Sequence, residues 1–265
     1  MTRPLVRVED GALPGALFAR LARAVRALGS ERLRDTYQTT FWFDLGPPAA
    51  IPEEAILALR ARVPRPPRGD FAGVEWWLSR MRTSDVRVDF HRDRDEVLFE
   101  RTGRTLHPAA GSVLFLNRCR GGFLAVLDAP PDGANPACAP DDFDADLVRP
   151  MPNRFALFPG GATHGVLDAN GDIPHGRLAK ATPLRLALVM NWWRRRPAGV
   201  PRFRDARMYE ALRVRGERGV ARVPGEDAAG RAAAGPPGRS SPRPARRPFA
   251  RRLERCMATP HENAH

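Results

Sequence analysis

The sequence predicts a mainly β fold with flanking α-helices, a sandwich or jelly roll, and three observations carry that expectation. From Phe71 to Trp193, short apolar runs (VEWWLSRM, VRVDFH, SVLFLN, FLAVLD, RFALF, HGVLD and RLALVMNWW) alternate with clusters of Gly, Pro, Asn and Asp. That is the pattern of short strands joined by turns. Helical spacing of apolar residues is confined to the first 70 residues and to a stretch after Arg196. Beyond about Arg222 both periodicities are lost. The chain has 265 residues, of which 43% are apolar and 28% charged, so it can bury one sizeable core.

Taken in order, Leu17, Leu21, Val25, Leu28 and Leu33 recur at helical spacing and predict a surface helix from Pro14 to about Arg34. TTFWFDL (39–45) is β-branched and aromatic and reads as a strand. Pro52, followed by Glu53 and Glu54, opens a second helix through about Arg62, with proline and acids where a helix start favours them. PRPPRGD (64–70) is a turn-rich link that closes an N-terminal support region, residues 1–70. The β core is expected over 71–196. Within it, Asp128 to Pro150 is acidic, rich in Pro and Gly, and reads as a long loop. A C-terminal helix is expected within 197–221, from about Phe203 to Arg215. The remainder, 222–265, gathers Gly, Pro, Ser and Arg and is expected to be disordered, apart from a short helix at FARRLERCM.

The formal charge is +13, yet about +11 of it lies from Arg194 onward, and the body of the chain is close to neutral. Lys180 is the single lysine, so arginine supplies nearly all the basic character. A nucleic-acid partner is therefore not expected from charge alone. No run of eighteen apolar residues predicts a membrane span, and no basic stretch followed by an apolar run marks a secretory leader. Cys119, Cys138 and Cys256 are widely spaced and odd in number, which argues against a disulfide framework and a zinc knuckle. A reducing cytoplasm is the expected setting.

Two motifs point to chemistry. His91-Arg92-Asp93 ends VRVDFHRD, and residues i and i+2 of a strand point the same way, so His91 and Asp93 can reach one ion together. His164, in FPGGATHGV, opens a later strand. Two histidines and a carboxylate on one face of Fe(II) leave the opposite positions open to O2 and a co-substrate. Arg185, on the strand RLALVMNWW with Ala187 and Val189 on its face, offers a guanidinium for a carboxylate such as that of 2-oxoglutarate. The plainer reading makes Arg92, Asp93, Arg94 and Asp95 a solvated turn. Asp95 is a rival carboxylate, but four residues along a strand is too far to share the ion. His107 and His175 read as surface residues. Arg80, Arg82 and Arg87 read as exposed strand positions or as contacts for an acidic substrate. The tryptophans at 76, 77, 192 and 193 read as core and rim packing.

In this order the motifs resemble the Fe(II)- and 2-oxoglutarate-dependent oxygenases, in particular their prolyl-hydroxylase-like branch. The residues that carry the resemblance are His91-Arg92-Asp93, VLFLNRCRGGFLAV (113–126), FPGGATHGV and Arg185, and it spans roughly residues 71–193. It implies a double-stranded β-helix in which His91, Asp93 and His164 bind Fe(II) and Arg185 binds the distal carboxylate of 2-oxoglutarate. No catalytic residue beyond the metal ligands is implied. The implied reaction takes O2 and 2-oxoglutarate, releases succinate and CO2, and hydroxylates a small-molecule or peptide substrate at an unactivated C–H bond. Asp93 stands where halogenating relatives leave a small residue, so hydroxylation is the default. Phe115 stands where a tyrosine often contacts the co-substrate, and the branch commonly has lysine where Arg185 lies. Nucleic-acid demethylases of the superfamily carry a second arginine six residues on, where this chain has Asn191. A cupin-like binding module is the non-enzymatic alternative, although cupins present His-x-His where this chain has His-x-Asp.

Overall fold

The computed structural model describes residues 4–29, 39–67, 69–81, 90–127, 144–167, 184–206, 208–214 and 246–248. Its strands are β1 (Arg7–Asp10), β2 (Phe41–Phe43), β3 (Gly73–Met81), β4 (Ala110–Phe115), β5 (Phe123–Leu127), β6 (Asp144–Val148), β7 (Arg154–Pro159), β8 (Thr163–Leu167), β9 (Arg185–Trp193) and β10 (Arg246–Pro248). Its helices are α1 (Gly15–Ala27), α2 (Ile51–Leu59) and α3 (Glu96–Thr102). The strands pair antiparallel in two sheets, ordered β1-β7-β4-β9-β3-β2 and β10-β6-β5-β8. Past β8 the smaller sheet gains one more rung, because the amides of His91 and His164 each donate to the other's carbonyl at 2.9 Å. The chain thus crosses from β3 to the His91 rung, back to β4, over to β5 and β6, back to β7, over to β8 and back to β9. That weave is the expected double-stranded β-helix.

Strand alternation assigns the two faces of the larger sheet to two cores. On β9, Leu186, Leu188, Met190 and Trp192 face outward and join Leu21, Val25, Ile56 and Leu59 of α1 and α2. Ala187 faces inward with Val113, Phe115, Val126 and Phe158, and Val189 packs against the same group. The helices therefore cover one side of the sheet, while the space between the sheets is left for the site. α2 starts as its sequence suggests: Pro52 lies in its first turn, and the Glu53 carboxylate accepts the Ala49 and Ala50 amides at 2.6 and 3.2 Å.

Several elements differ from expectation. α1 ends at Ala27 rather than near Arg34, and residues 30–38 lie outside the described residues. The expected helix from Phe203 to Arg215 is replaced by two 3-10 turns, Phe203–Asp205 and Glu210–Leu212. Phe203, Tyr209 and Leu212 are all buried in the outer core, and burying all three bends the chain at an extended Ala206 and a left-handed Tyr209 (φ 57°). Tertiary packing here overrides helical spacing. Within the expected loop 128–150, residues 144–148 form β6. In the tail expected to be disordered, Arg246–Pro248 pair with β6. β1 and α3 were not anticipated. Residues 86–89 of VRVDFH (86–91) and all of FARRLERCM (249–257) lie outside the described residues.

Candidate metal centre

His91 and His164 are brought together by the backbone rung between them, which sets their rings 4.6 Å apart, centroid to centroid. Two residues after His91, Asp93 turns its carboxylate between the rings. Its Oδ1 lies 3.5 Å from His91 Nε2 and its Oδ2 lies 3.4 Å from His164 Nε2. Ligand atoms of the three residues all fall within 4.8 Å of one another, and among the described residues no other His, Cys, Asp and Glu group does so. Metal–donor bonds of about 2.1 Å at right angles place neighbouring donors about 3 Å apart, so this spacing suits one ion with little adjustment. The site opens on the His91 side, where the side chain is 37% exposed against 9% for His164.

The protonation pattern also suits a metal. His164 Nδ1 lies 3.1 Å from the Ala162 carbonyl, an acceptor, so Nδ1 carries a proton and Nε2, the nitrogen beside Asp93, is the one an ion would take. Burial alone would raise the Asp93 carboxyl. The His164 and His91 rings outweigh burial and hold it far below the usual carboxylate range, so it is ionised. Phe158 packs against His164 at 5.0 Å and closes the apolar side of the site.

Arg185 lies elsewhere, at the start of β9 on its inward face, and is 2% exposed. Its Nε donates to the Gly122 carbonyl at 2.9 Å and its Nη1 to Ser79 Oγ at 3.0 Å, while the guanidinium covers the Phe115 ring at 5.1 Å. Phe115 therefore serves as an apolar floor for the cation. Gly122 is required at its position. It has φ +75°, and a Cβ there would sit 2.6 Å from Arg185 Cδ.

Other residues were misread or missed in sequence. Asp95 is the N-cap of α3, where Oδ1 accepts the Leu98 amide at 3.0 Å, so it is neither a solvated turn residue nor a rival ligand. Arg80 is buried rather than exposed, with Nη1 on the Gly29 carbonyl and its guanidinium over Tyr209. Arg82, Arg87 and His175 lie outside the described residues. His107 is half-buried beside Asp93 and not a surface residue. Ser79 was missed because only the β3–β9 register reveals it as a partner of Arg185. The same register sets Glu75 opposite Asn191 on the inward face. The Glu75 carboxyl accepts Trp193 Nε1–H at 3.1 Å, and burial, aided by the nearby Asp93 charge, pushes it up to about 7. Trp76 and Trp192 are core residues as expected, and Trp192 donates to Ser112 Oγ at 2.9 Å.

Strand weave and triad together define a class of molecule, a double-stranded β-helix with a His-x-Asp…His cluster able to hold a metal ion at the edge of its smaller sheet. No known family matches the sequence, and no curated protein does. Among solved structures the chain is similar to a prolyl-4-hydroxylase from Pseudomonas putida, at 22% identity over 73% of this chain and 89% of that one, with a TM-score of 0.44. It is similar to AviO1 from Streptomyces viridochromogenes Tue57, at 17% identity over 76% and 93%, with a TM-score of 0.42. It is also similar to HygX from Streptomyces hygroscopicus, solved with nickel and 2-oxoglutarate bound, at 12% identity over 72% and 83%, with a TM-score of 0.40. Ligands and reactions of those proteins belong to them; the chemistry open to this chain follows from its own side chains.

Proposed function

We propose that the chain is a non-haem Fe(II)- and 2-oxoglutarate-dependent dioxygenase that hydroxylates an unactivated C–H bond of a peptide, an amino acid or a natural-product intermediate. The convergence of His91, Asp93 and His164 carries this reading. When bound, iron and 2-oxoglutarate would supply the oxidative chemistry with O2, yielding succinate and CO2. The protein's part is to hold and shield. His91 and His164 offer neutral nitrogens and Asp93 one negative charge, all from one side, which leaves the opposite side free for co-substrate and O2. Asp93 fills the position at which a small residue would admit a halide, which favours hydroxylation. Arg185 and Ser79 hold the distal carboxylate in the interior, where a buried guanidinium favours an anion. The Gly122 carbonyl fixes the guanidinium's orientation, and Phe158, Val126 and Ala187 keep water from the space between the sheets.

Anaerobic titration with Fe(II) and 2-oxoglutarate tests the proposal. A weak visible charge-transfer band is expected in the wild type and is lost in His91→Ala, Asp93→Ala and His164→Ala, each with an unchanged circular dichroism spectrum. Succinate release then becomes the assay for a substrate screen. A wild-type protein that retains no iron and shows no band would overturn the reading in favour of a cupin-like binding module.

A further inference from the structure

We infer that His107 is a positioning residue of the metal centre, tying the segment that carries Asp93 to the turn that carries His164. This rests on the triad being a metal site. Between Asp93 and His107 the chain makes an excursion through α3, closed at its base by the Asp95 amide donating to the Leu106 carbonyl at 2.9 Å. At that base His107 Nδ1 lies 2.7 Å from the Asp93 carbonyl oxygen. A carbonyl can only accept, so Nδ1 carries the proton and donates it to the backbone of a ligand residue.

The other side of the same dipeptide rests on the FPGGATH turn. The His107 ring lies over Gly161, where a Cβ would meet it at 3.5 Å. Pro108 presses on Gly160 so closely that a Cβ there would stand 2.1 Å from the Pro108 carbonyl oxygen. One residue on, the Ala109 amide donates to the Trp192 carbonyl at 2.8 Å and anchors the strut to β9. Ala162, directly after Gly161, supplies the carbonyl that sets the His164 tautomer. The strut 107–109 is therefore fixed to the larger sheet and touches both ligand-bearing segments. It sets the separation between Asp93 and His164, two residues 71 positions apart in sequence. Outer partners of this kind commonly change metal affinity by about 10–100-fold when removed.

The experiment compares His107→Asn with His107→Gln in the full chain. Both are polar and of similar size, but only asparagine can place an N–H where Nδ1–H stands. Anaerobic Co(II) titration would be followed by the visible d–d bands, giving a dissociation constant and a coordination signature independent of turnover, and thermal melting of the metal-free proteins would report the fold. The expected result is a dissociation constant raised about 10–100-fold in His107→Gln. His107→Asn should stay near wild type in both affinity and band shape, with similar melting of the two metal-free variants. Equal affinity and identical bands in wild type, Asn and Gln would overturn the inference while leaving the triad intact. A wild type that binds no Co(II) or Fe(II) would overturn the triad reading and this inference with it.

Discussion

Arg185 shows how a single buried charge is made tolerable. A carbonyl, a hydroxyl and an aromatic face surround its guanidinium, and the missing Cβ of Gly122 gives its stem room. Loss of a charge-assisted contact to a bound carboxylate costs about 1.5–3 kcal/mol, or roughly ten- to a hundredfold in affinity. Arg185→Ala should therefore raise the 2-oxoglutarate concentration needed for half-maximal band intensity by that factor, with Fe(II) binding retained. Glu75 makes a prediction in pH. Its carboxyl is raised from an ordinary 4.5 to about 7 in the folded protein. Between those values the unfolded chain releases the proton while the folded chain keeps it. Stability thus falls as pH rises through that window, by roughly 3 kcal/mol, and is level above it. Glu75→Gln should flatten this slope in denaturant melts of the metal-free protein from pH 4.5 to 7. At this scale the clustering of His91, Asp93 and His164 was legible, because His-x-Asp is a local pattern and His164 follows a recognisable turn. Ser79, Gly122 and His107 were not, since each acts through a residue far away in sequence.

Elements were legible in proportion to their apolar content. The runs behind β3, β4, β5, β7, β8 and β9 alternate or are apolar throughout, and all form strands. β1 (RVED) and β6 (DADLV) carry acids that disguise them, and they gain their pairing from β7 and β5. α3 has seven residues, too few for a 3.6-residue period to show, and its start depends on the Asp95 cap. Asp95→Ala should lower unfolding free energy by about 1 kcal/mol in urea melts, with the iron band still present. The failed helix after Phe203 teaches the converse. Its spacing is helical, but three aromatic and aliphatic side chains at once are drawn into the core beside Phe41, and the chain bends to bury them.

At the scale of the whole molecule, the jelly roll was readable from strand spacing and motif order, while the crossings between sheets came only with the register. The smaller sheet has its candidate site at one edge, beside β8, and β10 at the other, on β6. Truncation after Arg222 should consequently leave Fe(II) and 2-oxoglutarate titrations unchanged, even though it removes eight arginines. The His91 rung carries a further consequence. Among the described residues it is the outermost pair of backbone bonds in its sheet, and the two residues that make it also point their imidazoles at one place. An ion gripped by those rings would pin the last rung from the side-chain direction and stop that edge from fraying. Occupancy should then be written into amide deuterium exchange at His91 and His164, which would slow on loading even for a colourless ion such as zinc that no absorbance band reports.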